Sequence, residues 1–162
     1  MKHVILTIVL LLASGLVIAQ TKMSDQLSKT TKMNAQSKIF FAGGCFWGTE
    51  HFMKQINGVT STQVGYANGK TSIKNPTYEQ VCNDNTGFAE TVEVSYDPQQ
   101  ADLKLLLELY FKTIDPTSLN RQGNDRGSQY RTGIYYTNAA DLPIIKEAIE
   151  TLAKKYSKPI VV

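Results

Sequence analysis

A short apolar strand that ends at two glycines and a cysteine is the feature that most constrains the fold. Residues 38–42 are mainly apolar, and Gly43-Gly44 ends the run. Residues 45–55 then have the pattern of a helix that ends before Asn57-Gly58. The order of strand, glycine pair and helix places Cys45 at a helix start. Unpaired N–H groups and the positive end of the helix dipole favour a thiolate there.

The position of Cys45 in the sequence is also compatible with a buried core cysteine that has no catalytic role and packs beside Phe46 and Trp47. The chain has two cysteines, Cys45 and Cys82, which are too few for a disulfide framework or a four-thiolate zinc site. We therefore predict no metal. A structural disulfide between the two cysteines stays open as an alternative.

The rest of the folded part alternates between strand and helix patterns. Strands are predicted at 59–66, 88–96 and 131–136, and helices at 101–114 and 144–156. Residues 67–87 and 117–129 are polar and contain glycines, which predicts long loops of a kind that often carries function. Residues 159–162 resemble the beginning of another strand. This mixture predicts an α+β fold, a two-layer sandwich with helices packed on a mixed sheet.

The positive charge of the chain lies before the folded part. The whole chain carries 17 basic and 14 acidic residues, a net charge of +3. Residues 1–37 contain four lysines and one aspartate, which leaves 13 basic and 13 acidic residues in 38–162. The folded part therefore has no net charge, which removes the main sequence argument for a nucleic-acid-binding surface.

The N-terminus has the pattern of an export signal. A basic start is followed by the apolar run Val4–Ala19, which has small residues near its end. Its 16 residues fall short of the roughly 20 that a membrane span needs. We predict a signal peptide at 1–19, a flexible polar tether at 20–37 and a catalytic domain at 38–162 in an exported, periplasmic or secreted protein. An uncleaved membrane anchor is the alternative.

The predicted strand at 88–96 alternates with a period of two. One face carries Phe88, Glu90, Val92, Val94 and Tyr96, and the other carries Ala89, Thr91, Glu93 and Ser95. Glu90 therefore belongs to the apolar face and Glu93 to the polar one. A carboxyl group that faces a core is desolvated, which raises its pKa and keeps it protonated.

A series of short motifs runs through residues 38–162. The first is Gly44-Cys45-Phe46-Trp47-Gly48. The others, in chain order, are Gly65-Tyr66, Asn75-Pro76-Thr77-Tyr78, Val81-Cys82, Thr86-Gly87, Ala89-Glu90, Tyr96-Asp97-Pro98, Asp115-Pro116, Arg121-Gln122-Gly123-Asn124-Asp125 and Gln129-Tyr130-Arg131. Together they resemble the motifs of the peptide methionine sulfoxide reductase A (MsrA) family. The resemblance implies a ferredoxin-like two-layer fold and thiol-dependent reduction of methionine S-sulfoxide, free or in oxidised proteins, to methionine.

The resemblance also implies roles for individual side chains. Cys45 matches the nucleophile, whose thiolate attacks the sulfoxide sulfur and becomes a sulfenic acid. Glu90 matches the acid that protonates the departing oxygen. Phe46 and Trp47 match the pocket wall that accepts the S-methyl group of the substrate.

Three further polar side chains match family residues. Tyr78 and Tyr130 match the tyrosines that hydrogen-bond the sulfoxide oxygen. Asp125 matches a carboxylate that binds the substrate backbone or a water near Cys45. No bound cofactor is implied, and the reductant is an external thiol such as thioredoxin or dithiothreitol.

The chain also departs from the family pattern. Phe88 stands where the family usually has His, and the usual C-terminal segment with its resolving cysteines is absent. Cys82 is then a possible resolving thiol, with direct attack by an external thiol and an inert Cys82 as the alternatives. Other readings are a thiol peroxidase and an impaired, truncated homologue that binds sulfoxides without turnover.

Overall fold

The computed structural model describes residues 36–83 and 86–162. The predicted signal peptide and almost all of the predicted tether lie outside these residues. The strands are β1 (Ser37–Gly43), β2 (Val59–Ala67), β3 (Ala89–Tyr96), β4 (Arg121–Gln122), β5 (Asp125–Arg126) and β6 (Thr132–Tyr135). The α-helices are α1 (Phe46–Met53), α2 (Tyr78–Asn83), α3 (Leu103–Phe111) and α4 (Leu142–Ala153), and single 3₁₀ turns lie at Ser128–Tyr130 and Ala139–Asp141.

Four strands form one sheet in the order β2-β3-β1-β6, and each described pairing in it is antiparallel. Its two central strands, β3 and β1, place Val92 opposite Phe41. Strands β4 and β5 form a separate two-stranded hairpin. The predicted α+β class, with helices packed on a sheet, is confirmed.

The core lies between one face of the sheet and the helices. Its largest members come from β1, β3, α1, α3 and α4: Ile39, Phe41, Val92, Val94, Phe46, Met53, Leu106, Leu107, Tyr110 and Ile145. The rings of Phe41 and Tyr110 stack with centroids 4.6 Å apart. The buried Tyr110 hydroxyl donates to the carbonyl of Ala42 at 2.6 Å and accepts from the N–H of Gly133 at 3.2 Å. Helix α3 thus supports β1 and β6 close to the point where β1 leads into Cys45.

Strand β3 differs from its predicted pattern on one face. Glu90 lies in the interior as predicted, but Thr91 and Ser95 on the opposite face are buried too. β3 is a central strand, so neighbouring strands cover these small side chains. The longer Glu93 reaches the surface, where its carboxylate lies 2.5 Å from the ammonium group of Lys38.

The segment predicted as a loop at 67–87 contains the short helix α2. Thr77 and Gln80 exchange side-chain to backbone hydrogen bonds of 3.0 and 3.3 Å at its start. This reciprocal pair is a capping box, whose Thr-x-x-Gln spacing is visible in the sequence. The prediction of an unbroken loop here was wrong. The segment is polar overall, but its capping box is sufficient to start a short helix.

Two more differences concern segments near the C-terminal half. The predicted loop at 117–129 holds the β4–β5 hairpin and leads into a 3₁₀ turn. Residues 159–162 form no strand. The N–H of Val161 instead donates to the carbonyl of Pro116 at 2.8 Å, and its carbonyl accepts from the Thr132 hydroxyl at 3.4 Å, so this segment is held by isolated bonds and not by strand pairing.

Candidate active site

Cys45 lies at the junction between β1 and α1, as the sequence predicts. Its carbonyl oxygen accepts hydrogen bonds from the N–H groups of Gly48 and Thr49 at 3.2 and 3.3 Å. Its side chain forms no capping hydrogen bond and is half-buried, and both cysteines are free thiols. The Cys45 thiol is therefore available for chemistry beside the positive end of the α1 dipole.

Gly44 allows the chain to turn sharply before Cys45. Its φ is +84°, and a Cβ atom at this position would lie 2.6 Å from the Cβ of Gln122. Any other residue here would be both strained and blocked. The Gln122 amide holds the backbone of Asp115 with two hydrogen bonds, accepting from its N–H at 2.8 Å and donating to its carbonyl at 2.9 Å. The β4–β5 hairpin is thereby fixed over the Cys45 turn.

Glu90 is tied directly to the helix that begins after Cys45. Its side chain is 2% exposed, and the backbone N–H of Phe46 donates to its Oε2 at 3.0 Å. This bond brings together a carboxyl group of β3 and the residue next to the thiol. The sequence predicted that Glu90 faces inward, and the structure adds the group that it contacts.

The environment of Glu90 favours its protonated form. Burial raises the pKa of Glu90, the hydrogen bond from Phe46 opposes that shift, and the nearby charge of Asp125 adds to it. The overall direction is upward, because desolvation penalises the carboxylate more than one hydrogen bond stabilises it. Glu90 therefore keeps its proton to a higher pH than an exposed glutamate does.

An aromatic wall adjoins this pair. The ring of buried Phe46 meets that of Trp47 edge to face, with centroids 5.1 Å apart, and Trp47 is 62% exposed. On its other side Phe46 approaches Tyr66, at a centroid distance of 5.9 Å. Tyr66 lies opposite Glu90 in the pairing of β2 with β3. The wall thus has a buried ring at its centre, a half-buried one at Tyr66 and an exposed one at Trp47.

A second group of side chains consists of Tyr78, Cys82 and Tyr130. Hydrogen bonding to Cys82 raises the pKa of Tyr78, and its hydrogen bond with Tyr130 acts in the opposite direction. Burial raises the pKa of Tyr130, and the bond with Tyr78 and the charge of Glu90 raise it further. Both phenols therefore remain protonated hydrogen-bond donors at neutral pH.

Asp125 lies on β5, opposite Gln122 of β4, and is half-buried. Its charge acts on Glu90, so the hairpin brings a second carboxylate towards the acid. The predicted site residues thus fall into two groups, one around Phe46 and one around Tyr130, and Glu90 interacts with both.

The described residues offer neither a metal site nor a membrane span. Residues 36–83 and 86–162 contain no cluster of three or more His, Cys, Asp and Glu side chains suited to a metal ion. No helix in this part of the chain is long and apolar enough to cross a bilayer.

Comparison with known families distinguishes between the three predicted functions, a sulfoxide reductase, a thiol peroxidase and a sulfoxide-binding module. The family model for peptide methionine sulfoxide reductase matches residues 37–162. The chain belongs to the peptide methionine sulfoxide reductase family. It is therefore an enzyme that reduces methionine S-sulfoxide to methionine at the expense of thiols, and neither the peroxidase nor the binding-module reading is favoured.

Individual relatives agree with the family match. MsrA of Lachnoclostridium phytofermentans is 61% identical over 124 residues, which cover 76% of this chain and 74% of that protein. Methionine sulfoxide reductase A of Corynebacterium diphtheriae has 35% identity and a TM-score of 0.71, with coverage of 78% of this chain and 64% of that one. Reduced Mxr1 from Saccharomyces cerevisiae has 38% identity and a TM-score of 0.73, and the match covers 78% of this chain and 73% of Mxr1. The structure of Mxr1 has also been solved in complex with Trx2. That Mxr1 chain matches with 29% identity and a TM-score of 0.56, and the match covers 78% of this chain and 72% of that one.

Two residues of this reductase site were not among the predicted site residues. In the sequence, Tyr66 stands out only as part of a Gly-Tyr motif, and Gln122 only as part of the Arg121–Asp125 motif. Tyr66 could have been found from its place in β2, because an antiparallel partner of β3 must place a residue opposite Glu90. No sequence signal gives the contact of Gln122 with Gly44, which depends on how a distant hairpin folds back.

Proposed function

We propose that Cys45 is the nucleophile and Glu90 the acid of this sulfoxide reductase. The Cys45 thiolate attacks the sulfoxide sulfur, and the oxygen takes a proton from Glu90 and passes to Cys45. In sum, one thiolate, one sulfoxide and one proton give one thioether, which is methionine, and one sulfenic acid on Cys45. The sulfoxide loses its oxygen by a two-electron reduction, and the cysteine sulfur is oxidised by the same two electrons.

The single observation that carries this proposal is the 3.0 Å hydrogen bond from the N–H of Phe46 to Glu90. It holds a buried acid beside the residue that follows the candidate nucleophile. A buried carboxyl group with a raised pKa retains the proton that the sulfoxide oxygen needs, since an unprotonated oxide ion is not a leaving group.

The surrounding side chains have complementary roles in the proposal. The faces of Phe46 and Trp47 provide an apolar wall for the S-methyl group. Tyr78 and Tyr130 donate hydrogen bonds to the sulfoxide oxygen as negative charge develops on it. Asp125 orders the substrate backbone or a water near Cys45. The exposure of Trp47 and Tyr78, 62% and 57%, suits a methionine sulfoxide that is presented by a polypeptide as well as a free one.

Recycling requires a second thiol. A thiol attacks the sulfenic sulfur of Cys45, forms a disulfide and releases water, and a dithiol then reduces that disulfide. We propose a thioredoxin-type protein as the final reductant, which the complex of Mxr1 with Trx2 supports. Cys82 is the candidate internal thiol. It is half-buried and lies near enough to Tyr78, which belongs to the proposed oxygen pocket, to raise the pKa of that phenol.

A turnover assay tests both the activity and the recycling route. Wild-type protein is expected to reduce the S-epimer of a methionine sulfoxide peptide, and not the R-epimer, with dithiothreitol and with thioredoxin. Cys82→Ser is expected to keep its rate with dithiothreitol and to lose at least about 10-fold with thioredoxin, because small thiols can reach the sulfenic acid without an internal disulfide. Methionine is measured by chromatography.

The outcomes of this assay separate the proposals. No reduction of either epimer by the wild type contradicts the proposed function. Equal rates of wild type and Cys82→Ser with thioredoxin leave the function intact and contradict the resolving role of Cys82.

We also propose that the enzyme acts outside the cytoplasm, where it repairs exported proteins. The support is the basic, apolar and small-residue pattern of residues 1–19. The full chain, expressed with a C-terminal tag, is expected in the periplasm or medium with Gln20 as its first residue, as measured by fractionation and N-terminal mass. Intact Met1 in the cytoplasmic fraction would contradict export, and intact Met1 in the membrane fraction would favour the uncleaved anchor.

A further inference from the structure

One guanidinium group joins three separate segments of the site. Arg131 follows Tyr130, and its Nη2 donates to the carbonyls of Gly87 at 3.0 Å and Asn68 at 3.2 Å. Its Nη1 donates to the carbonyl of Ser128 at 3.0 Å. Arg131 forms no ion pair with any residue of 36–83 or 86–162, so its bonding capacity is directed at neutral backbone oxygens.

Each of these carbonyls belongs to a segment that carries a proposed site residue. Asn68 follows the end of β2 and begins the segment that leads to Tyr78. Gly87 lies three residues before Glu90, just ahead of β3. Ser128 begins the 3₁₀ turn that contains Tyr130.

The backbone at two of these acceptors has little support of its own. Asn68 and Gly87 have φ values of +56° and +77°, so the chain turns in the left-handed region at both places. Carbonyls in such turns have no strand or helix partner fixed by regular geometry. The pairing of β2 with β3 ends at Ala67 and Ala89, and beyond it the N–H of Lys70 donates to the carbonyl of Thr86 at 3.0 Å. The Arg131 guanidinium adds the link from both segments to the turn of Tyr130.

We infer that Arg131 is a positioning residue that sets the spacing between Glu90 and the tyrosine pair. The inference rests on the proposed roles of Glu90, Tyr78 and Tyr130 in sulfoxide reduction. A guanidinium is a rigid planar fork, so carbonyls bound to it are held at fixed separations. A proton donor and two phenols must converge on one oxygen atom, and a displacement of about 1 Å in such a group can cost about 100-fold in rate.

Lysine is not an adequate replacement in this arrangement. It keeps the positive charge, but its ammonium group is a single point on a flexible stem and cannot bind three spread carbonyls in a plane. The three groups to which Arg131 donates are all neutral backbone carbonyls. The shape of the guanidinium is what distinguishes the two side chains here.

The test compares Arg131→Lys, Arg131→Ala and the control Arg126→Ala with wild type. Arg126 is an exposed arginine of β5 that donates none of these hydrogen bonds. Single-turnover rates and KM are measured with the S-sulfoxide peptide, and folding is followed by circular dichroism. The expected result is a fall of about 100-fold in the rate for both Arg131 variants, a smaller change in KM and an unchanged rate for Arg126→Ala. Methylguanidinium is expected to restore part of the rate of Arg131→Ala, and methylammonium is not.

The inference is overturned by a wild-type rate in either Arg131 variant, or by a loss in Arg131→Lys that matches its unfolded fraction. If Arg131→Ala does not fold, the rate of Arg131→Lys decides. Failure of the proposed function has a different signature, because wild type and Arg126→Ala would then also lack turnover of the S-epimer.

Discussion

Cys45→Ser is expected to abolish methionine formation from the S-sulfoxide, with a loss of about 10⁴-fold or more. The sulfur of Cys45 has two tasks in the proposed reaction, attack on the substrate and acceptance of its oxygen. A serine hydroxyl is a far weaker nucleophile at neutral pH, and it cannot accept the oxygen as a stable acid. The substitution is nearly isosteric at a half-buried position, so the fold should be retained.

Single-turnover assays without reductant measure this effect most directly. Wild type should form close to one methionine per protein chain. In Cys82→Ser, which lacks the proposed resolving thiol, dimedone should label Cys45 only after sulfoxide has been added. Cys82→Ser, assayed in the same way, should give the same methionine burst, since a resolving thiol acts after the burst. A methionine burst from Cys45→Ser would show that another group is the nucleophile.

Glu90→Gln is expected to slow the single-turnover rate by about 10²- to 10⁴-fold, the range for loss of a general acid. The glutamine amide oxygen can still accept the hydrogen bond from the N–H of Phe46, so the local structure is kept. What is lost is the acidic proton. Glu93→Gln is the matched control, because Glu93 lies on the same strand with its carboxylate paired to Lys38 at the surface.

The same substitution should change the pH dependence of the rate. Burial raises the pKa of Glu90, and its protonated form is the active one. The wild-type rate should therefore fall as pH rises through this raised pKa, and the descending limb should be absent in Glu90→Gln. Ionisation of thiols acts in the opposite direction, so the limb is identified by comparing the two proteins. An identical descending limb in both would contradict the role of Glu90 as the acid.

Local patterns were enough to predict most of the regular elements. The apolar run and glycine pair before Cys45 predicted β1 and the start of α1, and the apolar stripe within 101–114 predicted α3. These predictions hold because the residues that define an element are close in sequence and share one period. One exception is α2, whose capping box at Thr77 and Gln80 is a local signal but occurs in a polar, Asn-rich segment.

The inward direction of Glu90 was also determined by the sequence alone, since alternation along a strand fixes which face a side chain occupies. The Cys-Phe-Trp signature and the ordered motifs that resemble MsrA likewise came from the sequence. Only the tertiary structure decided which group Glu90 contacts, how closely Gln122 approaches Gly44 and which distant carbonyl Arg131 binds. Each of these contacts joins segments that are far apart in the chain. Strand and helix periods carry no information about such distances, which are set by how the sheet, the hairpin and the loops pack together.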